Sequence, residues 1–307
     1  MSKRKAGIYF VWLIIAFSIL VLYLGWGKPD ANILWQVRIP RLWLTLITGM
    51  SLAGIGSVYQ LMLGNPLAEP YILGVSSGSA FGSILMGVIG AVVLMPLGGF
   101  VGATLTMLLV WRLAQKRGVF DKTRLIIAGV IVGMFFSSAI SLMMYLNRED
   151  TVLILGTLMG NLGRIFSYGE WQLFMGLSLL VLGILIWLYL KSRALDIMST
   201  SDDYAMSVGI SIHRLRRQIF ILSSLIIGII VSYAGIIGFV GLIIPHIVRL
   251  SSSGTQKKVF LYSLFLGACY LLLADFIAKS ISVLELPVGV VTAAIGCPFF
   301  LWLLLKK

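Results

Sequence analysis

The chain has 307 residues, 59% of them hydrophobic and only 11% charged, with a mean hydropathy of +1.03. A soluble domain carries about a quarter of charged residues, so this composition excludes a soluble enzyme and defines an integral membrane protein. The net charge of +13 sits in short clusters between apolar runs, with no basic stripe interleaved with aromatics, which argues against a nucleic-acid surface.

Crossing a 30 Å hydrocarbon core takes about 20 apolar residues. In chain order the apolar runs predict an all-α membrane domain occupying 1–307, with ten transmembrane helices at 8–26, 42–63, 71–90, 93–114, 125–146, 171–190, 218–235, 238–250, 259–278 and 287–305. The first follows Lys3, Arg4 and Lys5 and is too long for the apolar stretch of a secretory signal, so it is read as a retained span. The third is interrupted by Gly74, Gly78, Gly82, Gly87 and Gly90, and the eighth is too short to cross alone; such segments need neighbouring protein to cover their backbone. Small residues at Gly49, Ala53 and Gly56, and again at Gly235, Gly238 and Gly241, predict close helix approaches in a dense bundle. The runs Ser51 to Gly56 and Ser232 to Gly238 are alike and lie on oppositely directed spans, which suits an inverted repeat.

Ten spans put both termini on one side, and the positive-inside rule makes that side the cytoplasm. Eighteen of the 24 Lys and Arg then face inward. Arg38 and Arg41 face outward at the mouth of the second span, with Pro40 suited to a first helical turn. Headgroup snorkelling and a basic ring facing an acidic partner are both open for them.

A polar island at 191–217 would be refused by any bilayer and holds Asp196, Asp202, Asp203, His213, Arg214, Arg216 and Arg217. Within it a short helix is expected, capped by Ser201 or Asp202 and stopped by Gly209. Left to composition, a docking site and a solvated loop are equally good readings.

Three ordered segments are more specific. Arg38 to Arg41 combines with Asn65-Pro-Leu-Ala-Glu-Pro70 and Gly74; Ile237 to Arg249 carries Pro245 and His246; Glu285 to Ala293 is followed by Gly296 and Pro298. Together they resemble the FecCD-type permease family, the membrane subunits of ATP-driven importers for ferric siderophores, haem and cobalamin, and in look they are closest to its cobalamin-carrying members. The resemblance runs nearly end to end. It implies the type II ABC importer permease architecture, working as a pair with a second copy of itself, two ATP-binding cassette ATPase subunits below and an extracytoplasmic substrate-binding protein above.

The resemblance also distributes roles. Asp202, Asp203, Ala205, Val208 and Gly209 match the ATPase coupling helix, with Ser201 replacing a usual glycine and Val208 a usual leucine. Arg38, Arg41 and Lys279 match the cations that dock the binding protein; Lys279 replaces an arginine and offers a point charge in place of a planar fork. Asn65 and Leu67 match a cytoplasmic gate, and Lys122 stands near it where a small hydroxyl residue is usual.

No Gly-x-x-x-x-Gly-Lys-Ser/Thr loop is present, so ATP and Mg belong to a partner chain and no cofactor is expected on this one. No catalytic or metal spacing of His, Cys, Asp and Glu is visible. Cys269 and Cys297 lie in apolar runs and read as packing residues, as does the lone His246. Glu69 reads as solvated in a turn locked by two prolines. Asp275 lies within a span, where an acid is usually functional. It supports either an ion-coupled secondary transporter, the alternative function, or a structural pair with Lys279 one turn away.

Overall fold

The computed structural model describes residues 23–25, 30–116, 119–251, 254–281 and 285–305. Twelve helices longer than one turn organise it: α1 (Ala31–Leu63), α2 (Val75–Val88), α3 (Val92–Leu113), α4 (Lys122–Leu146), α5 (Thr151–Met159), α6 (Tyr168–Leu190), α7 (Ser192–Thr200), α8 (Asp202–Ser207), α9 (Ile212–Ala234), α10 (Val240–Ser251), α11 (Gln256–Ile281) and α12 (Val288–Leu305). Strand structure among the described residues is confined to a small antiparallel ribbon, Gln115–Lys116 against Val119–Phe120.

Six of these helices, α1, α3, α4, α6, α9 and α11, are long and apolar enough to cross a bilayer, and α2, α10 and α12 are shorter apolar helices. Nine of the ten expected spans therefore coincide with apolar helices, three of them shorter than a crossing requires. The first expected span, apart from the helical residues Tyr23 to Gly25, lies outside the described residues, as do the terminal Lys and Arg clusters and Lys28.

Burial sorts the long helices into two shells. The most apolar stretch of α1 is 78% buried and that of α9 72%, against 28% for α4 and 33% for α6. The first two form the centre. The outer two present Ile127, Ile131, Met134 and Phe135, and Leu173, Leu179 and Ile186, to the surroundings. In water such faces would be an aggregation hazard; in a bilayer they are the solvent-facing side.

Glycine sets the centre's spacing. A Cβ at Gly49 would strike the backbone of Gly267 on α11, and one at Gly56 the backbone of Gly241 on α10. Two of the glycines that seemed to break the third span do the same: Gly78 and Gly82 lie against Gly102 and Gly98 of α3, whereas Gly90 has nothing within 4 Å of its missing Cβ. Gly78 and Gly82 are contact residues, because in lipid close backbone approach is the main source of helix attraction.

Two local features add to the predictions. Pro40 is the second residue of the α-helical stretch Ile39–Leu63, as expected for a first turn, but that stretch continues a helix from Ala31 through a π-helical turn over Leu34–Arg38. The wider turn accommodates a ring that would clash with the carbonyl four residues back. The nine-residue α5 was not foreseen, being too short to register as a span.

Candidate functional site

Three candidate regions lie along the bundle, one at each end of α1 and one on the polar island. At the Arg41 end, the guanidinium donates from Nε to Asp275 Oδ2 (2.9 Å) and from Nη2 to Asp275 Oδ1 (2.8 Å). Its Nη1 donates to both oxygens of Glu285 at 2.9 and 2.8 Å. Tyr23 Oη also donates to Asp275 Oδ2. Asp275 is fully buried and Arg41 is 8% exposed, while the Glu285 side chain is 44% exposed. Lys279 Nζ lies 3.6 Å from the Tyr23 ring centroid and donates to the Tyr23 carbonyl at 3.3 Å; Arg38 Nη1 donates to the Leu24 carbonyl at 2.7 Å.

The three expected docking cations thus converge, but Arg41 is not an open member of a basic ring. It is satisfied within the chain by two carboxylates. The expected Asp275 to Lys279 pair is replaced by Asp275 to Arg41, because a planar fork meets both carboxylate oxygens and an ammonium cannot. With three donors on its two oxygens, Asp275 is a fixed structural anion.

At the other end α1 stops at Gly64, whose φ of +64° lets the chain reverse; Asn65 N–H then closes the helix by donating to the Gln60 carbonyl at 3.1 Å. Asn65 Oδ1 accepts from Leu67 N–H at 2.9 Å, which presents the Leu67 side chain outward, 45% exposed. Lys122 is exposed at the first turn of α4, whose N-cap Asp121 accepts from Thr123 and Arg124 N–H. Further on, Gly74 lies against Gly129 and Gly133 of α4, about 10–16 Å along the helix from Lys122 at 1.5 Å per residue. No hydrogen bond or ion pair among the described residues joins Lys122 to Asn65 or Leu67.

Glu69 is not the solvated acid of the sequence reading. It is half-buried and its Oε1 accepts from Phe239 N–H at 2.6 Å, in the break between α9 and α10. Desolvation raises the carboxyl's proton affinity above the ordinary range, with the Phe239 N–H pulling the other way. Phe239 has a φ of +69°, the one described non-glycine residue with positive φ. Beside this break a cavity of 690 Å³ is lined by Met159, Ile236, Gly238, Phe239, Val290 and Cys297, almost entirely apolar.

The polar island holds the foreseen short helix, α8, and before it α7, which was not foreseen. Ser201 Oγ accepts from Tyr204 N–H at 3.0 Å and caps α8, and Gly209, with φ of +84°, ends it. Ala205 is fully buried, whereas Val208, Tyr204 and Met206 are about half exposed and Asp203 faces outward. Asp202 Oδ1 accepts from Arg216 Nη2 at 2.8 Å. Arg216 is 3% exposed, so unlike the exposed Arg214 and Arg217 it is no free anchor but ties α8 to α9. Tyr204 and Met206 were missed because single apolar residues in a polar loop carry no periodic signal.

Among the described residues no three of His, Cys, Asp and Glu come together in a way that could hold a metal. His246 lies 6.1 Å from the Phe300 ring, centroid to centroid. Cys269 is half-buried and Cys297 exposed, both as free thiols.

A bundle of apolar helices broken beside an open, mostly apolar pocket, with a polar helical island at one end, is the build of a multi-pass membrane protein. Residues 6–306 match the FecCD transport family, and the chain belongs to that family. It is 33% identical over 304 residues to the vitamin B12 import system permease protein BtuC of Serratia proteamaculans, covering 97% of this chain and 89% of the relative. The corresponding protein of Vibrio cholerae is 30% identical over 320 residues, covering 99% and 95%. Among solved structures, a metal-chelate type ABC transporter in an inward-facing conformation superposes with a TM-score of 0.88 at 30% identity, covering 98% of this chain and all of that one. The PsaBC structure from Streptococcus pneumoniae, at 18% identity and a TM-score of 0.61, shares the fold.

Proposed function

We propose that the chain is the membrane-spanning permease subunit of an ATP-driven importer for a metal chelate, with cobalamin the leading substrate given the relatives it matches. Two copies form the pathway, two separate ATPase subunits dock on the polar island, and a substrate-binding protein docks at the Arg41 end. On this reading the island is cytoplasmic, the Arg41 end is extracytoplasmic, and the chain spans the membrane ten times with both termini inside.

The observation that carries the proposal is α8. It is a capped, ion-paired helix that holds Tyr204, Met206 and Val208 half exposed beside two acids, in a segment too polar to enter lipid. Apolar side chains held out on a rigid polar helix mark a protein contact. Ala205 supports that face from beneath and does not touch the partner.

The test is uptake of labelled cyanocobalamin by proteoliposomes containing this chain, its ATPase and its binding protein. ATP-dependent uptake is expected, with none driven by a proton or sodium gradient alone; the reverse would establish an ion-coupled carrier. Tyr204→Glu with Met206→Glu should release the ATPase on co-purification while the chain stays folded, and undiminished recovery of the ATPase would remove α8 as the docking helix.

A further inference from the structure

Gln256, at the start of α11, is 1% exposed and sends its backbone N–H and both polar atoms of its side chain to three other helices. Its backbone N–H donates to Asp196 Oδ1 on α7 at 2.8 Å. Its side-chain Nε2 donates to the Ser57 carbonyl of α1 at 3.1 Å, and its Oε1 accepts from Arg249 Nη2 of α10 at 2.9 Å. Arg249 Nη2 also donates to the Ser57 carbonyl, at 2.9 Å. The amide orientation follows from its partners, since a guanidinium only donates and a carbonyl only accepts.

The two helices gripped on the far side of Gln256 are those that hold the turn bearing Asn65 and Leu67. The turn continues directly from α1, whose last residue is Leu63. At its other side Glu69 caps the break that opens α10, through Phe239 N–H. Gln60 adds a second clasp between the same helices, donating to the Leu242 carbonyl at 3.1 Å. A displacement of α7 therefore reaches both supports of the turn through one buried residue, its backbone N–H on the α7 side and its side-chain amide on the other.

We propose that Gln256 is a positioning residue that couples the polar island to the Leu67 turn. The relay runs from Asp196 through Gln256 to Ser57 and Arg249, and it rests on the reading of the island as the ATPase dock. Its glutamine is uncharged, so the relay is held by hydrogen-bond geometry, and a partner that keeps the geometry without charge preserves it.

The test uses the full chain with Cys269→Ala, Cys297→Ala and Leu67→Cys, reconstituted with its ATPase and labelled by a water-soluble maleimide, with and without ATP, Mg and vanadate. Nucleotide is expected to change the Leu67→Cys labelling rate by about fivefold or more, the lower bound of ordinary coupling between sites. Gln256→Leu and Asp196→Ala should abolish that change with the ATPase still bound, and Asp196→Asn, which keeps an acceptor oxygen, should retain it. A loss of folding would move Asp196→Asn and Asp196→Ala together, whereas the relay separates them. If Gln256→Leu does not assemble, the Asp196 pair decides alone. An unaltered nucleotide response in Asp196→Ala overturns the relay and leaves the importer reading intact. A parent chain that binds no ATPase overturns the importer reading itself.

Discussion

Arg41 illustrates how far one side chain's role depends on its surroundings. In the sequence it is one of two cations near a proline; in the structure it joins α1 to α11 and to Glu285 through four hydrogen bonds. Removing one partner strands a buried charge, so Arg41→Ala or Asp275→Asn should destabilise the chain by about 3–5 kcal/mol, whereas Arg41→Met combined with Asp275→Leu should recover most of the loss. Thermal unfolding of the detergent-solubilised chain measures both. Glu69 gives the pH counterpart. Its carboxyl binds a proton more readily when folded than when unfolded, so the folded state holds the extra proton, and stability falls as pH rises from the ordinary carboxylate range, about 4.3, through the raised value. Glu69→Gln keeps an acceptor for Phe239 N–H and should flatten that dependence, read as unfolding temperature against pH.

Helix contacts were legible where the signal was local and opaque where it was not. The spacing of Gly49, Ala53 and Gly56 announced a close approach, and α1 indeed meets Gly267 and Gly241 there. Gly56→Val should therefore prevent correct packing, because the struck atoms are backbone and cannot yield. Gly183 on α6 has nothing within 4 Å of its missing Cβ, and Gly183→Ala should stabilise the helix by up to about 1 kcal/mol. Yield of monodisperse protein and its unfolding temperature separate the two. The cap at Ser201 and the stop at Gly209 were equally readable, since both follow from backbone chemistry within a few residues. Gln256, Glu69 and the Arg216 to Asp202 pair were not. Their partners lie 7 to 199 residues away, and nothing in a single sequence marks which polar residue a buried amide or carboxylate will meet.

Across the whole molecule, charge is partitioned by end. At one end of α1 three cations, Arg38, Arg41 and Lys279, gather around two acids, Asp275 and Glu285; both acids pair with Arg41, while Arg38 and Lys279 donate to the backbone carbonyls of Leu24 and Tyr23. Arg38→Glu with Lys279→Glu should slow association of the proposed substrate-binding protein, most at low salt, with little effect on recovery of the proposed ATPase. Surface plasmon resonance across an ionic-strength series provides the measurement, and salt-independent, unchanged association would show that these two cations do not steer docking.

The partners of the Arg41 to Asp275 bond are 234 residues apart, which has a consequence for biosynthesis. At about 5–20 residues per second, Arg41 emerges from the ribosome roughly 10–50 s before its counter-ion exists. For that interval the guanidinium is confined near the membrane interface, where a long side chain can keep its head in water. Asp275 arrives to a cation already in place. Asp275 on α11 therefore enters the membrane after its counter-ion on α1 has been made, one of the last helices completing a pair with one of the first.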